Sequence, residues 1–454
     1  MERVESRTER LSGRASLLVG ATLFSMFFGA GNLILPPLLG VQAASESVPA
    51  IIGFFVAGVG LPVLGIVAVA LAGTVRELAD RVHPIFSRVF VAAVYLAIGP
   101  CLAIPRTSST AFEMLAPLLP AGVSLDAVRL GFSVVFFAVA YLLAMHPGRL
   151  TRFLGRVTGP ALIALVVAVV GASIFSLVTA PELPARAAEA PYNTGAAVQG
   201  FLTGYQTMDL LASLTFGLVI ATNIRSLGVR EPRGVMIEVC RAGVVAGMLM
   251  MALYGGLCAV GFELCEELAG AANGAVIITA SATLHFGMAG TIVVAAIFLL
   301  ACLNVCTGLI SCCGSYFAEE VPRVPYRVWA VAFAVFSCAV SNIGLDAILA
   351  FSVPLLNALY PMAIVLVLMG IAHRACDAAP LTWPVTVGLV GVASVVTSLR
   401  DALAPGMWLP FDALPFASVG LGWVVLAVVG LVIGAVLSRA AGGCSTSADG
   451  ARKS

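Results

Sequence analysis

Charged positions divide the chain into long apolar stretches. Uncharged runs cover residues 15–45, 47–75, 89–105, 130–148, 157–181, 190–224 (broken only by Asp209), 242–262, 268–318, 328–345, 347–373, 378–399 and 413–438, twelve in all. A bilayer core about 30 Å thick is crossed by about 20 helical residues. Only helices or closed barrels satisfy their backbone in lipid, and the period-2 alternation of a barrel strand is absent here. The pattern therefore predicts an all-α integral membrane protein with about 12 transmembrane helices. The run at 268–318 is too long for one helix. Its first part reads as a hairpin or re-entrant piece near the outer face, and 288–317 as the span.

Two runs carry polar or helix-breaking residues in mid-span. The first holds Gly29, Gly31, Asn32, Pro36 and Pro37. Pro36 and Pro37 cannot donate to the carbonyls of Asn32 and Leu33, and glycine weakens a helix further. The expectation is two half-helices joined by unwound backbone at residues 29–32, and such backbone survives in a bilayer only where it lines a cavity. The sixth run crowds Thr203, Gln206, Thr207 and Asp209 into its middle. A carboxylate at mid-membrane costs about 2.5–3.5 kcal/mol on insertion scales, so it has a partner or a task. The partner would be Arg106 or Arg241. Interrupted helices at spans one and six point to a five-plus-five inverted repeat, with spans 11 and 12 appended.

Composition agrees with a lipid solvent. The chain is 60% hydrophobic and 10% charged, against about 45–50% and 25% in soluble domains. A net charge of +1 with scattered basic residues argues against nucleic-acid binding. The eleven Cys show no CxxC, and the four His show no metal spacing. Three of the His stand near Arg clusters and read as interfacial residues, so no transition metal and no cofactor is expected. Nineteen basic residues fall in the termini and one set of alternate loops, and three in the other set. By the positive-inside rule both termini are cytoplasmic. The start is too long an apolar run, continuing through two prolines, for a cleaved signal peptide. The resulting division is a tail 1–14, a first repeat 15–179, a second repeat 190–373, two further helices in 378–438, and a tail 439–454.

Five segments carry a resemblance: LFSMFFGAGNLILPPLLG (23–40), AIGPCLAIPRTSSTAFEM (97–114), GFLTGYQTMDLLASLTFG (200–217), YRVWAVAFAVFSCAVSNIGL (326–345) and SVPLLNALYPMAIVLVL (352–368). Over residues 15–437 the chain resembles the bacterial branched-chain amino acid:cation symporters. That resemblance implies the fold of the amino acid–polyamine–cation transporters, alternating access in the cell membrane, and import of leucine, isoleucine and valine, typically with Na⁺.

A zwitterionic substrate needs an anion site and a cation site close together. Helix N-termini present free N–H groups to carboxylates, so the turn at Gly29, Ala30, Gly31 and Asn32 is the expected carboxylate site. Carbonyls near Gln206 and Thr207, or the Asp209 carboxylate, would accept the ammonium. Leu210, Phe216, Ile98 or Ile104 would meet the aliphatic side chain. The resemblance implies a Na⁺ site made by the carbonyls of Ser25 and Phe28 with Ala301, Asn304 and Thr307 of span eight. There the chain departs from the family, which has paired hydroxyl residues where Asn304 and Val305 stand. Thr307 shares a helix face with Asn304 and is the expected compensation. H⁺ coupling through Asp209 or Glu113 is the alternative. Arg106 either approaches the substrate or pairs with Glu113. An intramembrane enzyme would need a Ser–His pair, paired Asp or an HExxH set in mid-membrane, and none is present. A transporter of another small neutral amino acid, a channel and a non-transporting amino acid sensor are further alternatives.

Overall fold

The computed structural model describes residues 10–450 except 121, 123, 146–148 and 230. Of the basic residues and histidines counted above, Arg3, Arg7, His146, Arg230, Arg452 and Lys453 lie outside it. Among the described residues the chain is helical, with no strand. α1 (Gly13–Phe27) is followed by α2 (Ala30–Ala43), and α3 (Ser47–Phe55) passes through a wide turn into α4 (Leu61–Ala72). The short α5 (Val75–Asp80) leads to α6 (Pro84–Leu96) and α7 (Ala103–Leu115), then α8 (Leu125–Met145) and α9 (Arg149–Thr179). α10 (Ala196–Tyr205), α11 (Asp209–Ser226), α12 (Pro232–Glu263) and the 47-residue α13 (Gly274–Glu320) follow. α14 (Tyr326–Ser341), α15 (Leu345–Ile371), the short α16 (His373–Asp377), α17 (Thr382–Leu403) and α18 (Gly422–Gly450) complete the chain.

Among the described residues nine helical stretches are long and apolar enough to cross a bilayer, and α10 with α11 makes a tenth as a pair bent by 51°. The sequence pattern gives twelve runs, and the difference has physical causes. α1 and α14, of 15 and 16 residues, are apolar but shorter than the about 20 residues of a full-length span. The helical stretch Gly31–Ala72, 42 residues long, joins parts of two runs. Straight, it would measure about 63 Å, twice the hydrocarbon core, and Ala44 at φ 42 interrupts it. In α13, Gly287 leaves helical geometry at φ 63, dividing 274–286 from 288–320.

The interruptions lie close to, but not everywhere at, the expected positions. In the first span only Phe28 and Gly29 leave the helix, and α2 resumes at Ala30 and runs through Pro36 and Pro37. Asn32 is thus helical, which corrects the expected unwinding over 29–32. Proline's fixed φ is compatible with a helix, so the pair removes two hydrogen bonds without breaking the path. The third span is broken as well, which the sequence analysis did not anticipate: Gly99 sits at φ −106, ψ −121, before Pro100. That helical stretch covers Pro84–Leu118, so Arg106 and Glu113 lie within it.

Lipid supplies little hydrophobic force between helices, so close packing of small residues holds them. α1 and α2 both pack on α12, while α10 packs on α3 and α11 on α4. The α3–α10 contact is closest at two glycines. A Cβ on Gly53 would collide with the Ala197 carbonyl, and one on Gly200 with the Ala50 carbonyl. α7 packs on α13, and α17 with α18 lies beside α15. The largest buried cluster includes Phe27, Leu33, Ile34, Phe54, Tyr254 and Phe298, around the first interruption, while Tyr205, Met208 and Leu210 at the second belong to another cluster.

Candidate substrate and cation site

The breaks in the first and sixth spans are tied to each other. Asn32 Nδ2 lies within hydrogen-bonding distance of both Asp209 carboxylate oxygens, at 3.1 and 2.9 Å. The same amide reaches the carbonyl of Phe27 at 2.9 Å and the hydroxyl of Tyr254. Phe27 ends α1, so Asn32 satisfies a helix-terminal carbonyl that has no partner of its own in the helix. The Tyr254 hydroxyl donates to Asp209 Oδ2 at 3.2 Å. Asp209 opens α11 directly after Met208, which takes the left-handed φ of 63, and its amide donates to Thr207 Oγ1 at 3.3 Å. Asn32, Asp209 and Tyr254 are all buried.

Arg106 enters from the third span, in the first turn of α7 after the break at Gly99. It is 4% exposed, and its Nη1 donates to the Gln206 carbonyl at 2.7 Å. Its guanidinium lies against Gly31: a Cβ there would collide with Nη2 and stand 2.7 Å from Cζ. The amides of Ala30 and Gly31 open α2 and have no helical partner. That of Asn32 is taken by the Gly29 carbonyl at 3.1 Å. Among the described residues no carboxylate lies within ion-pairing distance of Arg106. The expected alternative partners are otherwise engaged. Glu113 faces Arg129 at 3.8 Å, and Arg241 binds Glu238 at 2.8 Å. Glu113 is two helical turns beyond Arg106, about 10 Å along the axis, so the two do not pair. Nor is Asp209 in ion-pair contact with Arg106 or Arg241, so of its two readings, a partner or a task, the ion-pair partner falls.

These groups surround a cavity of about 70 Å³. Gly29, Gly31, Asn32, Arg106, Thr207 and Asp209 form its polar wall, and Ile98, Phe216, Met26, Phe27, Val305 and Leu309 its apolar wall. Phe27 and Phe216 are in contact, with ring centroids 5.6 Å apart. Leu210 and Ile104, expected in the apolar wall, are instead fully buried in other clusters. Gln206 lines a second cavity, of about 220 Å³, with Tyr192, Gln199, Thr203 and Asp346. The Arg106–Gln206 bond therefore stands between the two spaces.

The family is decided by the chain as a whole. The family described as branched-chain amino acid transport protein matches residues 12–441. The chain belongs to this family. It is 36% identical over 427 residues to the branched-chain amino acid permease BraB of Bacillus subtilis (strain 168), covering 93% of this chain and 95% of that one. It is 37% identical over 437 residues to the branched-chain amino acid transport system 2 carrier protein of Pseudomonas aeruginosa, covering 95% and 98%. These relatives are named as permeases and carriers rather than enzymes. In fold the chain is similar to Mhp1 in its inward-facing conformation, with a TM-score of 0.53 at 13% identity, covering 97% and 96%. Within the family's frame, the cavity draws all its lining residues except Val305 and Leu309 from three of the quoted segments, 23–40, 97–114 and 200–217.

The expected cation ligands are less gathered. Ser25 is exposed on α1, while Ala301 and Phe28 are partly buried against one core cluster. Asn304 makes no side-chain hydrogen bond with another described residue. Thr307 donates to the Leu303 carbonyl at 2.8 Å, inside its own helix. It is Val305 that lines the cavity, and Thr307, two residues on, points about 200° around the helix from it. Thr307 is thus not placed to compensate for Val305. Tyr254 was not anticipated. Its only signal in the sequence is a lone phenol in the apolar run 242–262.

Proposed function

We propose that this chain imports leucine, isoleucine and valine across the cell membrane by symport with a cation, Na⁺, through alternating access. The observation that carries the reading is the Asn32–Asp209 link between two interrupted helices at the edge of a half-apolar cavity. The names of the relatives support the substrate class. The amides of Ala30 and Gly31 receive the carboxylate, and the polar edge at Thr207 and Asp209 receives the ammonium. Ile98, Phe216, Met26 and Val305 receive the branched side chain.

Twelve spans follow when α1 with α2, and α10 with α11, are each read as one discontinuous helix, and α14 as a short span. The inverted repeat has support in the packing. The first span lies along the seventh, through α12, and the sixth along the second, through α3 and α4. Exchange of spans one and two with six and seven converts one contact into the other, as two copies of a five-span unit require. Both termini are cytoplasmic on the basic-residue asymmetry. The Na⁺ site comprises the carbonyls of Ser25, Phe28 and Ala301 with the amide oxygen of Asn304, and Thr307 is left out because it points away from the helix side on which Val305 lines the cavity.

A second reading is H⁺ coupling through Asp209. It is favoured by one observation: the side chains bonded to its carboxylate, Asn32 and Tyr254, are neutral. Leucine uptake by proteoliposomes under imposed Na⁺ or H⁺ gradients tests both. Uptake unchanged when choline replaces Na⁺, at fixed pH and potential, defeats Na⁺ coupling. Binding of leucine without counterflow defeats transport itself and leaves a sensor.

A further inference from the structure

We propose that Arg106 reads the substrate's carboxylate, holding it together with the free amides of Ala30 and Gly31. The proposal rests on the reading of this cavity as the branched-chain amino acid site. An arginine removed from water needs an anion or a full set of acceptors, since a desolvated cation is otherwise left without compensation. Arg106 is 4% exposed and has one hydrogen bond, to the backbone carbonyl of Gln206. Its remaining donors face no carboxylate among the described residues. They lie instead against the backbone of Gly31, where the N-terminus of a 14-residue helix also presents unpaired N–H groups. Two kinds of donor thus converge on one edge of one cavity, and both favour the same ligand group.

The other charge in the cavity wall is Asp209, and it is not in ion-pair contact with Arg106. A cavity with one cationic and one anionic pole that do not neutralise each other by contact matches a zwitterion. Arginine suits this task better than lysine because its planar fork bonds a carboxylate with two parallel N–H groups. The bond to Gln206 keeps the fork oriented while leaving Nη2 toward Gly31. Leucine's carboxylate supplies the missing counter-charge, so an analogue without that charge leaves the arginine buried and unpaired.

The test compares leucine with leucinamide, which keeps the side chain and ammonium but lacks the anion. Each competes against labelled leucine for the full-length protein in lipid nanodiscs. The unmodified protein is expected to prefer leucine by about 100-fold or more, the kind of discrimination a site gains from a buried polar group left unpaired. In Arg106→Gln the leucine affinity should fall about 100-fold, while that for leucinamide changes by no more than about threefold, so the preference collapses. Arg106→Lys, which keeps the charge but not the fork, should give an intermediate ratio. A ratio in either variant equal to that of the unmodified protein overturns the proposal. So does a ratio below about tenfold in the unmodified protein, a result that needs no variant to fold. Absence of any leucine binding by the unmodified protein overturns the site reading together with the proposal, whereas an unchanged ratio with intact leucine binding overturns the role of Arg106 alone.

Discussion

Asn32 donates from its side-chain amide to both carboxylate oxygens of Asp209, at 3.1 and 2.9 Å, across 177 positions of sequence. Both residues lie in the first turn of the helices that follow the interruptions, so one hydrogen-bonded pair sets the relation of α2 to α11. A buried charge-assisted contact of this kind predicts non-additive mutations. Asn32→Ala and Asp209→Ala should each destabilise the purified protein by about 1–3 kcal/mol. The double variant should lose less than the sum, by about 0.5–3 kcal/mol. Melting curves in one detergent measure this, and strict additivity would show that the pair carries no coupling.

Gly31 and Gly29 should respond differently to the same added methyl. At Gly31 a Cβ runs into the Arg106 guanidinium, while at Gly29 its nearest neighbour would be the Phe27 carbonyl at 3.9 Å, with an extended backbone that alanine accepts. Gly31→Ala should weaken leucine binding about tenfold or more, and Gly29→Ala less than about threefold. Equal effects at the two positions would remove Gly31 from the site.

If Asn304 supplies an amide oxygen to Na⁺, Asn304→Val should raise the Na⁺ concentration for half-maximal leucine uptake, and Asn304→Thr should keep or strengthen the dependence. Thr307→Val should leave it unchanged, because Thr307 points away from the helix side on which Val305 lines the cavity. A shift in Thr307→Val larger than that in Asn304→Val would reverse the assignment.

Outside the spans, the loop between α17 and α18 carries a pH-dependent contact. The Leu409 amide first, and then the Arg400 guanidinium, hold the Asp412 carboxyl below its usual range. Both bonds to Oδ2 measure 2.7 Å. A depressed carboxylate stabilises fully above its unfolded pKa of about 3.9 and loses that contribution as pH falls through the lower folded value. At neutral pH the contact is therefore complete, and Asp412→Asn should speed hydrogen exchange of the Leu409 amide there. Exchange at the same rate in both proteins would show that the carboxylate does not hold the loop.

Much of this arrangement was legible in the residues. The uncharged runs locate the spans, and Gly29, Gly31 and Asp209 locate the two interruptions, because weak helix formers and a charge stand out against a uniform apolar background. The partners were not legible. Spacing within one run says how residues share a helix face, but nothing of which other run that face meets. So the residues offer Arg106 the carboxylates of Glu113 and Asp209 as partners, and nothing in them points to the carbonyl of Gln206, 100 residues on. Tyr254 was missed for the same reason. Thr307 was chosen by its spacing from Asn304, while the direction that mattered was that of Val305. The third span was cut short because a charge-free criterion cannot cross Arg106, even where the helix does.

The glycine contact between α3 and α10 has a mechanical consequence. With the carbonyls of Ala197 and Ala50 seated on Gly53 and Gly200, there is no slack for one helix to slide along the other without prising backbones apart. The two behave as one rigid arm, and the compliance of the sixth span is confined to Gln206, Thr207 and Met208. Those residues adjoin the Asp209 carboxylate and supply the carbonyl that Arg106 grips. Two of the three, Thr207 and Met208, also line the cavity beside Asp209, so a ligand seated there would meet the joint directly, with no relay through the rest of the protein.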